Sequence, residues 1–435
     1  MQVEVVEVPA SPGLYVHVPF CARVCPYCDF AVQTGGPLRR RAFVRSLLRE
    51  IDLWSGLIPG EGSAAAGEST RDGDGSAMAW RSEQPFDTVY FGGGTPSSLS
   101  PDVLGEILAA LRRSLPIAVD ADITLEANPE DVNEANLGRW KGLGVTNLSL
   151  GIQSFAGDGL RFLGRAHTPE SAAAALRAAL GASFDTVSID LIFALPGQSA
   201  ERWRADLEHA IAYGADHISC YELTVHEGTR FGRLKERGDL EEAAEDDRAD
   251  LFLLTHRLLA DRGYQAYEVS NFARGPAHRS RHNRKYWDHT AYLGLGPSAH
   301  SFDGVATRWW NERRLRAWEA GLESAPDGGR EAGSALGMEP SFDSARSPIA
   351  GSEALDPADL VLESLALGLR TTAGVDLDVL QARYGVDVAS SNVALIEELR
   401  RGGFLAETEP STSLVPTLRG LAVADALARS FEIPD

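Results

Sequence analysis

From residue 14 to about residue 223 the chain alternates short β-branched and aromatic runs with amphipathic helical stretches. The runs are Leu14–Phe20, Phe86–Phe91, Asp122–Ala127, Asn147–Ile152, Phe184–Ile189 and His217–Leu223. The helical stretches include Arg39–Trp54, Pro101–Ser114, Pro169–Gly181 and Ser199–Tyr213. Six strand–helix units in a row predict an α/β fold with a parallel sheet, and their number and length suit a partial (βα)6 barrel. A doubly wound open sheet is the alternative that the pattern alone leaves open.

Two stretches interrupt this rhythm. Residues 60–84 are rich in Gly, Ser and Ala, show no periodicity, and read as a disordered insertion. Residues 319–356 read as a flexible linker closing a first domain of residues 1–318. Beyond it, residues 357–435 carry three or four helical patterns and a candidate strand pair, Phe404–Ala406 with Leu414–Pro416. That is the outline of a small α+β, winged-helix-like domain. Such modules often bind DNA, but this segment holds twelve acids against six bases, and the whole chain has a net charge of −21. Both argue against a nucleic-acid partner and against docking on anionic lipid. No apolar run approaches the roughly 18 residues of a membrane span. The N-terminus carries Glu4 where a secretory signal needs base, so a cytoplasmic protein starting near residue 1 is expected. A homodimer is left open.

Of four cysteines, three fall within eight positions: Cys21, Cys25 and Cys28, spaced C-x3-C-x2-C in the loop leaving the first strand. Three thiolates on a short loop can hold three irons of a 4Fe–4S cubane and leave the fourth open to an exchangeable ligand. Zinc, the rival reading, would want a fourth protein ligand, and no second C-x2-C follows. Tyr27 and Phe30 are placed to shield a cluster. Cys220, on an apolar strand, reads as a buried inert thiol.

Polar groups recur where the strands end. The second strand runs into Gly92-Gly93-Gly94-Thr95-Pro96, whose glycines allow close backbone approach to a ligand. The third ends at Glu126, the fourth at Gln153 with Arg165 soon after, and the fifth at Asp190. In barrels this C-terminal face is where sites are built.

C-x3-C-x2-C after a first strand, in this setting, resembles the radical S-adenosylmethionine (SAM) superfamily. The resemblance implies that SAM chelates the open iron and is split by a cluster electron to a 5′-deoxyadenosyl radical. It implies that Tyr15 lines the site and that Gly93, Gly94 and Thr95 contact the methionine part of SAM. Glu126, Gln153, Arg165 and Asp190 would hold its amino acid, ribose or adenine. The strings YVHVPFC, GGGTP, EANPED, GIQSF, LGRAH and DLIFALPGQ are similar to the group containing oxygen-independent coproporphyrinogen III oxidase and its haem-chaperone relatives. The oxidase pattern continues with a further cysteine two positions after the third, where this chain has Phe30, and with a longer segment before the cysteines than the twenty residues here.

The string His282-Asn283-Arg284-Lys285-Tyr286-Trp287 resembles the haem-binding signature of the chaperone branch. It implies His282 as an axial haem ligand, with His278, His289 and His300 as alternatives. Arg279, Arg281, Arg284 and Lys285 would pair with haem propionates or merely offset local acid. The reading is therefore a haem chaperone that binds a 4Fe–4S cluster, SAM and haem. It would pass haem to an acceptor haemoprotein such as a respiratory one. The alternative is oxidative decarboxylation of coproporphyrinogen III propionates.

Overall fold

The computed structural model describes residues 10–55, 84–324 and 347–434. The expected disordered insertion at 60–84 lies, except for its last residue, outside them. Six strands fall on the six predicted runs: β1 (Gly13–Val18), β2 (Phe86–Gly93), β3 (Ile117–Ala127), β4 (Asn147–Gln153), β5 (Thr186–Phe193) and β6 (His217–Glu222). Six more, none longer than six residues, follow: β7 (Gln265–Ala266), β8 (Asn271–Ala273), β9 (Tyr292–Leu295), β10 (His300–Phe302), β11 (Thr307–Asn311) and β12 (Ile349–Ala354). Helices Pro37–Ser55, Pro101–Ser114, Pro169–Gly181 and Ala200–Tyr213 occupy the amphipathic stretches.

Local chemistry sets the helix starts. Ser100 Oγ accepts from the Val103 amide ahead of Pro101, and Thr168 and Ser171 form a reciprocal capping box ahead of Pro169. Strand β1 is buried at Leu14, Val16 and Val18 on one face and at Gly13 and His17 on the other, as expected of a parallel strand covered on both faces.

The chain divides into two compact units, one built from residues up to Ala22, Ala31–Ile123 and His289–Ala354, the other from Arg23–Phe30, Thr124–Asp288 and the chain from Leu355 onward. In the first, the strand order is β12–β11–β10–β9–β1–β2, with β1 parallel to both β2 and β9. In the second it is β3–β4–β5–β6–β8–β7, parallel from β3 to β6.

This partition differs from the expected boundary at residue 318. The reason is pairing: β9 to β12, which the sequence reading did not anticipate, extend the sheet of β1. The expected linker 319–356 is regular at both described ends. A helix runs through Leu315–Ser324, and β12 pairs antiparallel with β11; residues 325–346 lie outside the described set. The C-terminal segment packs helices Pro357–Gly368, Leu377–Tyr384 and Ala424–Ser430 about Val361, Leu365, Leu377, Leu414 and Phe431. Its expected hairpin is reduced to a single bridge, Leu405 with Pro416, and Ser413–Leu414 pairs instead with Val375–Asp376. No described helix is long and apolar enough to cross a membrane.

Candidate cofactor site and the His282 helix

In the first unit, β1 delivers the chain into the cysteine loop, whose neck is tied. The Cys21 amide donates to Gln33 O at 3.0 Å and the Gln33 amide to Pro19 O at 2.8 Å. The glycine turn after β2 packs onto this neck. A Cβ on Gly94 would lie 2.7 Å from Phe20 O, and Gly93 sits at φ +104° with the His17 ring where its Cβ would point. The Gly94 and Thr95 amides donate to Val18 O and Phe20 O, both at 2.8 Å. Those two amides are therefore committed to the protein backbone. The Thr95 hydroxyl reaches Cys21 Sγ at 3.6 Å.

His17 is a member of this group that the sequence reading passed over. Its Nε2 donates to Ala31 O at 3.1 Å, which leaves Nδ1 to accept from the Tyr15 hydroxyl at 3.1 Å. Burial holds its pKa down at about 4, so the ring is neutral near pH 7.

In the second unit the loop turns at Cys25–Cys28, with the Cys28 amide donating to Cys25 O. Arg165 reaches this turn: Nη1 to Cys25 Sγ at 3.7 Å, Nη2 to Asn128 Oδ1 at 2.5 Å and to Gly151 O at 3.0 Å. Burial works against its charge, but the neighbouring Tyr27 and Cys25 outweigh it and raise its pKa. Gly164, at φ +67°, lets Pro26 approach to where a Cβ would collide at 2.7 Å. Tyr27 packs into a cluster with Phe231, Leu163 and Ile192, whereas Phe30 is 61% exposed.

Strands β3 to β6 present a polar row on one face. Register pairs Glu126 with Ser149, Ser149 with Ser188, Ser188 with His217, and Asp190 with Ser219. Period-two alternation places Gly151 and Gln153 on the same face of β4. Gln153 sits at φ +68° beside a break in register with β5. A non-glycine residue held there stores about 1 kcal/mol or more of strain, a feature that clusters at functional sites. The Ser149 hydroxyl lies 2.9 and 3.1 Å from the two Asp190 oxygens. Burial pushes the Asp190 pKa up to about 6, opposed by the Ser219 and Ser149 hydrogen bonds and by Arg165. Asn128, Ser149, Ser188, His217 and Ser219 belong to this row and were not anticipated, although the alternation in NLSLGIQ, TVSIDLIF and HISCYE announces most of it. Cys220, on the opposite face, is buried, and burial raises its thiol pKa.

The motif around His282 forms one short helix, Arg281–Trp287, capped by Ser280 Oγ on the Asn283 amide. His282 is 3% exposed, its Nε2 lies 2.9 Å from the Tyr286 hydroxyl, and burial lowers its pKa to about 3. The Arg370 guanidinium lies over the Trp287 ring at 5.8 Å. Of the expected basic residues, Lys285 is buried, Arg284 faces Asp288 at 3.7 Å and Arg279 lies over the Tyr267 ring. His278 bonds Thr186, while His289 is buried against Phe302 and His300 stacks on Trp310 in the first unit.

The donor chemistry fits an iron–sulfur cluster. Cys21 and Cys25 each have a hydrogen-bond donor on sulfur, Thr95 and Arg165, and such donors stabilise thiolate. Among the described residues no three His, Cys, Asp or Glu side chains meet about one point. A cubane takes its thiolates on separate irons, so its ligands need not converge.

Comparison with known proteins agrees with this architecture. Residues 15–210 match the model of the radical SAM superfamily, and residues 355–423 match the HemN C-terminal domain. The heme chaperone HemW of Synechocystis sp. is 36% identical over 83% of this chain and 78% of its own length. The heme chaperone HemW of Mycobacterium tuberculosis is 34% identical over 97% and 95%. Among solved structures, coproporphyrinogen III oxidase (HemN) from Escherichia coli, described as a radical SAM enzyme, superposes with a TM-score of 0.75. It is 20% identical and the match covers 97% of this chain and 90% of that one, a likeness of fold.

Proposed function

Because the chain belongs to the HemW family within the radical SAM superfamily, we propose that it is a haem chaperone that binds haem at the His282 helix and passes it to an acceptor haemoprotein. Cys21, Cys25 and Cys28 hold the 4Fe–4S cluster. Tyr15, Gly93, Gly94, Thr95, Glu126, Gln153, Arg165 and Asp190 hold SAM. Arg165 suits a carboxylate and Glu126 an ammonium. When bound, cluster and SAM supply one-electron chemistry; the protein's part is to keep Arg165 charged beside Cys25 and Asp190 poised beside Ser149. The resemblance implies an acceptor such as a respiratory haemoprotein.

The observation that carries the reading is likeness to the chaperones over nearly the whole chain, combined with the complete His-Asn-x-x-Tyr-Trp string on a single helix. Iron ligation by His282 Nε2 would exchange the Tyr286 hydroxyl for the metal. The test is haem titration of anaerobically reconstituted protein, beside His282→Ala. Loss of the Soret band and at least a tenfold loss of affinity (roughly 1.4 kcal/mol or more) are expected for the variant. Incubation with coproporphyrinogen III and SAM separates the enzymatic reading: vinyl-bearing product at catalytic turnover would replace the chaperone with an oxidase.

A further inference from the structure

The helix carrying His282 is fastened to the inside of the second unit by a buried chain of hydrogen bonds. It begins at Ser280, the helix cap, whose backbone amide points to the Tyr267 hydroxyl at 3.3 Å. The same hydroxyl lies 2.9 Å from His217 Nε2, and His217 Nδ1 lies 2.7 Å from Ser188 Oγ. A backbone amide only donates, so the Tyr267 oxygen accepts from Ser280. With the Tyr267 proton given to His217 Nε2, His217 Nδ1 carries hydrogen and donates to Ser188; with the other tautomer both bonds reverse and the chain stays connected. All three side chains lie in a buried environment, where an unpaired polar atom is costly.

The far end of the chain is informative. Ser188 is the middle one of three polar positions on one face of β5, Thr186, Ser188 and Asp190, two residues apart. Thr186 bonds His278, two residues before the helix cap, at 3.0 Å. The lead-in to the His282 helix therefore stands on β5 twice, directly through His278 and by relay through Tyr267 and His217. The third position on that face is Asp190, bonded to Ser149. Neither His217 nor Tyr267 has a role in the proposed cluster or SAM contacts.

We infer that Tyr267, with His217 behind it, is the positioning residue of the haem site: it sets where the helix carrying His282 begins, relative to the strand that carries Asp190. The inference rests on the His282 reading above. It assigns no contact with haem to Tyr267. Its effect is exerted through the Ser280 amide, so loss of the hydroxyl lets the helix start drift and leaves the imidazole of His282 misdirected.

The experiment uses full-length reconstituted protein and ferric haem, read by Soret titration alongside iron and sulfide content and the thermal midpoint. Tyr267→Phe keeps the ring beneath Arg279 and removes only the relay oxygen. It should weaken haem binding about tenfold and shift the Soret maximum, the size expected when a buried amide and an imidazole lose their partner. Iron and sulfide should stay close to the parent values, and the midpoint should fall only by the few degrees that the lost buried hydrogen bonds cost. His217→Ala should behave like Tyr267→Phe, and His217→Gln should restore binding, since its side-chain oxygen can accept the Tyr267 proton. If Tyr267→Phe binds haem with the parent's affinity and spectrum while His282→Ala does not, the positioning role is wrong and the haem helix stands. If Tyr267→Phe loses haem only in step with iron content and midpoint, the hydroxyl is merely structural and the inference also fails. Should His282→Ala itself bind as the parent does, the helix is not the haem seat and the underlying reading falls first.

Discussion

Glu50 and Asp190 are both carboxylates enclosed by protein, and burial raises the pKa of each, to about 7 and about 6. Their partners separate them. Glu50 is 0% exposed and accepts from the Gly296 amide at 2.7 Å, from Asn311 Nδ2 at 2.6 Å and from the Trp318 indole at 3.4 Å. Every one of these is a fixed donor, and together they fasten helix Pro37–Ser55 to the turn after β9, to β11 and to helix Leu315–Ser324. Asp190 retains some exposure and meets hydroxyls, which can donate or accept and can rotate away, with the charge of Arg165 near. A raised carboxyl pKa is therefore a poor guide to function by itself. A carboxylate saturated by rigid donors is a fastening; one held by adaptable hydroxyls and still reachable can meet a ligand, the role proposed for Asp190.

The contrast breaks most visibly by truncation. Glu50→Ala leaves three buried donors unpaired and a cavity, and should cost about 3–5 kcal/mol, read as the urea midpoint of the apoprotein. Asp190→Ala should leave that midpoint within about 1 kcal/mol of the parent, since it also removes an awkwardly buried charge. Its effect belongs in SAM affinity, which should fall about tenfold or more in calorimetric titration. If Asp190→Ala unfolds the protein as readily as Glu50→Ala, the distinction drawn from their partners is wrong.

Stability against pH gives the next largest effect. Both carboxyls bind their proton more tightly folded than unfolded, so each contributes stability at low pH that is lost as pH rises. For Glu50 the loss runs from about pH 4.5 to about 7 and amounts to roughly 3 kcal/mol at most. For Asp190 it runs from about pH 4 to about 6, and its partial exposure trims the figure to roughly 1–2 kcal/mol. Glu50→Gln should flatten the upper part of the curve, between pH 5 and 7, while Asp190→Asn should flatten only the lower. An unchanged slope in Glu50→Gln would mean that its three donors keep the native carboxylate ionised throughout.

The two carboxylates also mark how far the sequence could be read. Asp190 was visible because it continues the polar alternation Thr186, Ser188, Asp190, although the expected strand end there is wrong: β5 runs three residues further, through the apolar Leu191-Ile192-Phe193. The same alternation, followed inward, would have found Ser149, Ser188 and His217. Glu50 left a fainter trace: in helix Pro37–Ser55 it falls on the stripe of Phe43, Leu47, Ile51 and Trp54, where a charge does not belong. That signal says a partner must exist, but Asn311 and Gly296 lie some 250 residues onward, beyond local pattern. The six strands from β1 to β6 were legible because each runs six or more residues with its own period. Strands β7 to β12 are two to six residues long, and their pairing is decided by tertiary contact.

The smallest effect sharpens the contrast best, because it touches one hydrogen bond on each side. Ser149→Ala removes a hydroxyl that straddles both Asp190 oxygens and leaves the Ser219 bond in place. A serine oxygen occupies little volume, so the melting midpoint should move by about 1 °C or less. The Asp190 carboxyl should become harder to ionise, and SAM affinity at neutral pH should drop about two- to threefold. Trp318→Phe makes the matching change at Glu50, removing its longest bond along with part of a fully buried ring. It should cost roughly 1–2 kcal/mol of stability and leave SAM affinity alone. Were the two to exchange signatures, with Ser149→Ala lowering the midpoint and sparing SAM, Asp190 would have to be counted with Glu50 as a fastening. The acidic residue that meets SAM would then have to be sought along the same row at Glu126, which pairs in register with Ser149 on the adjoining strand.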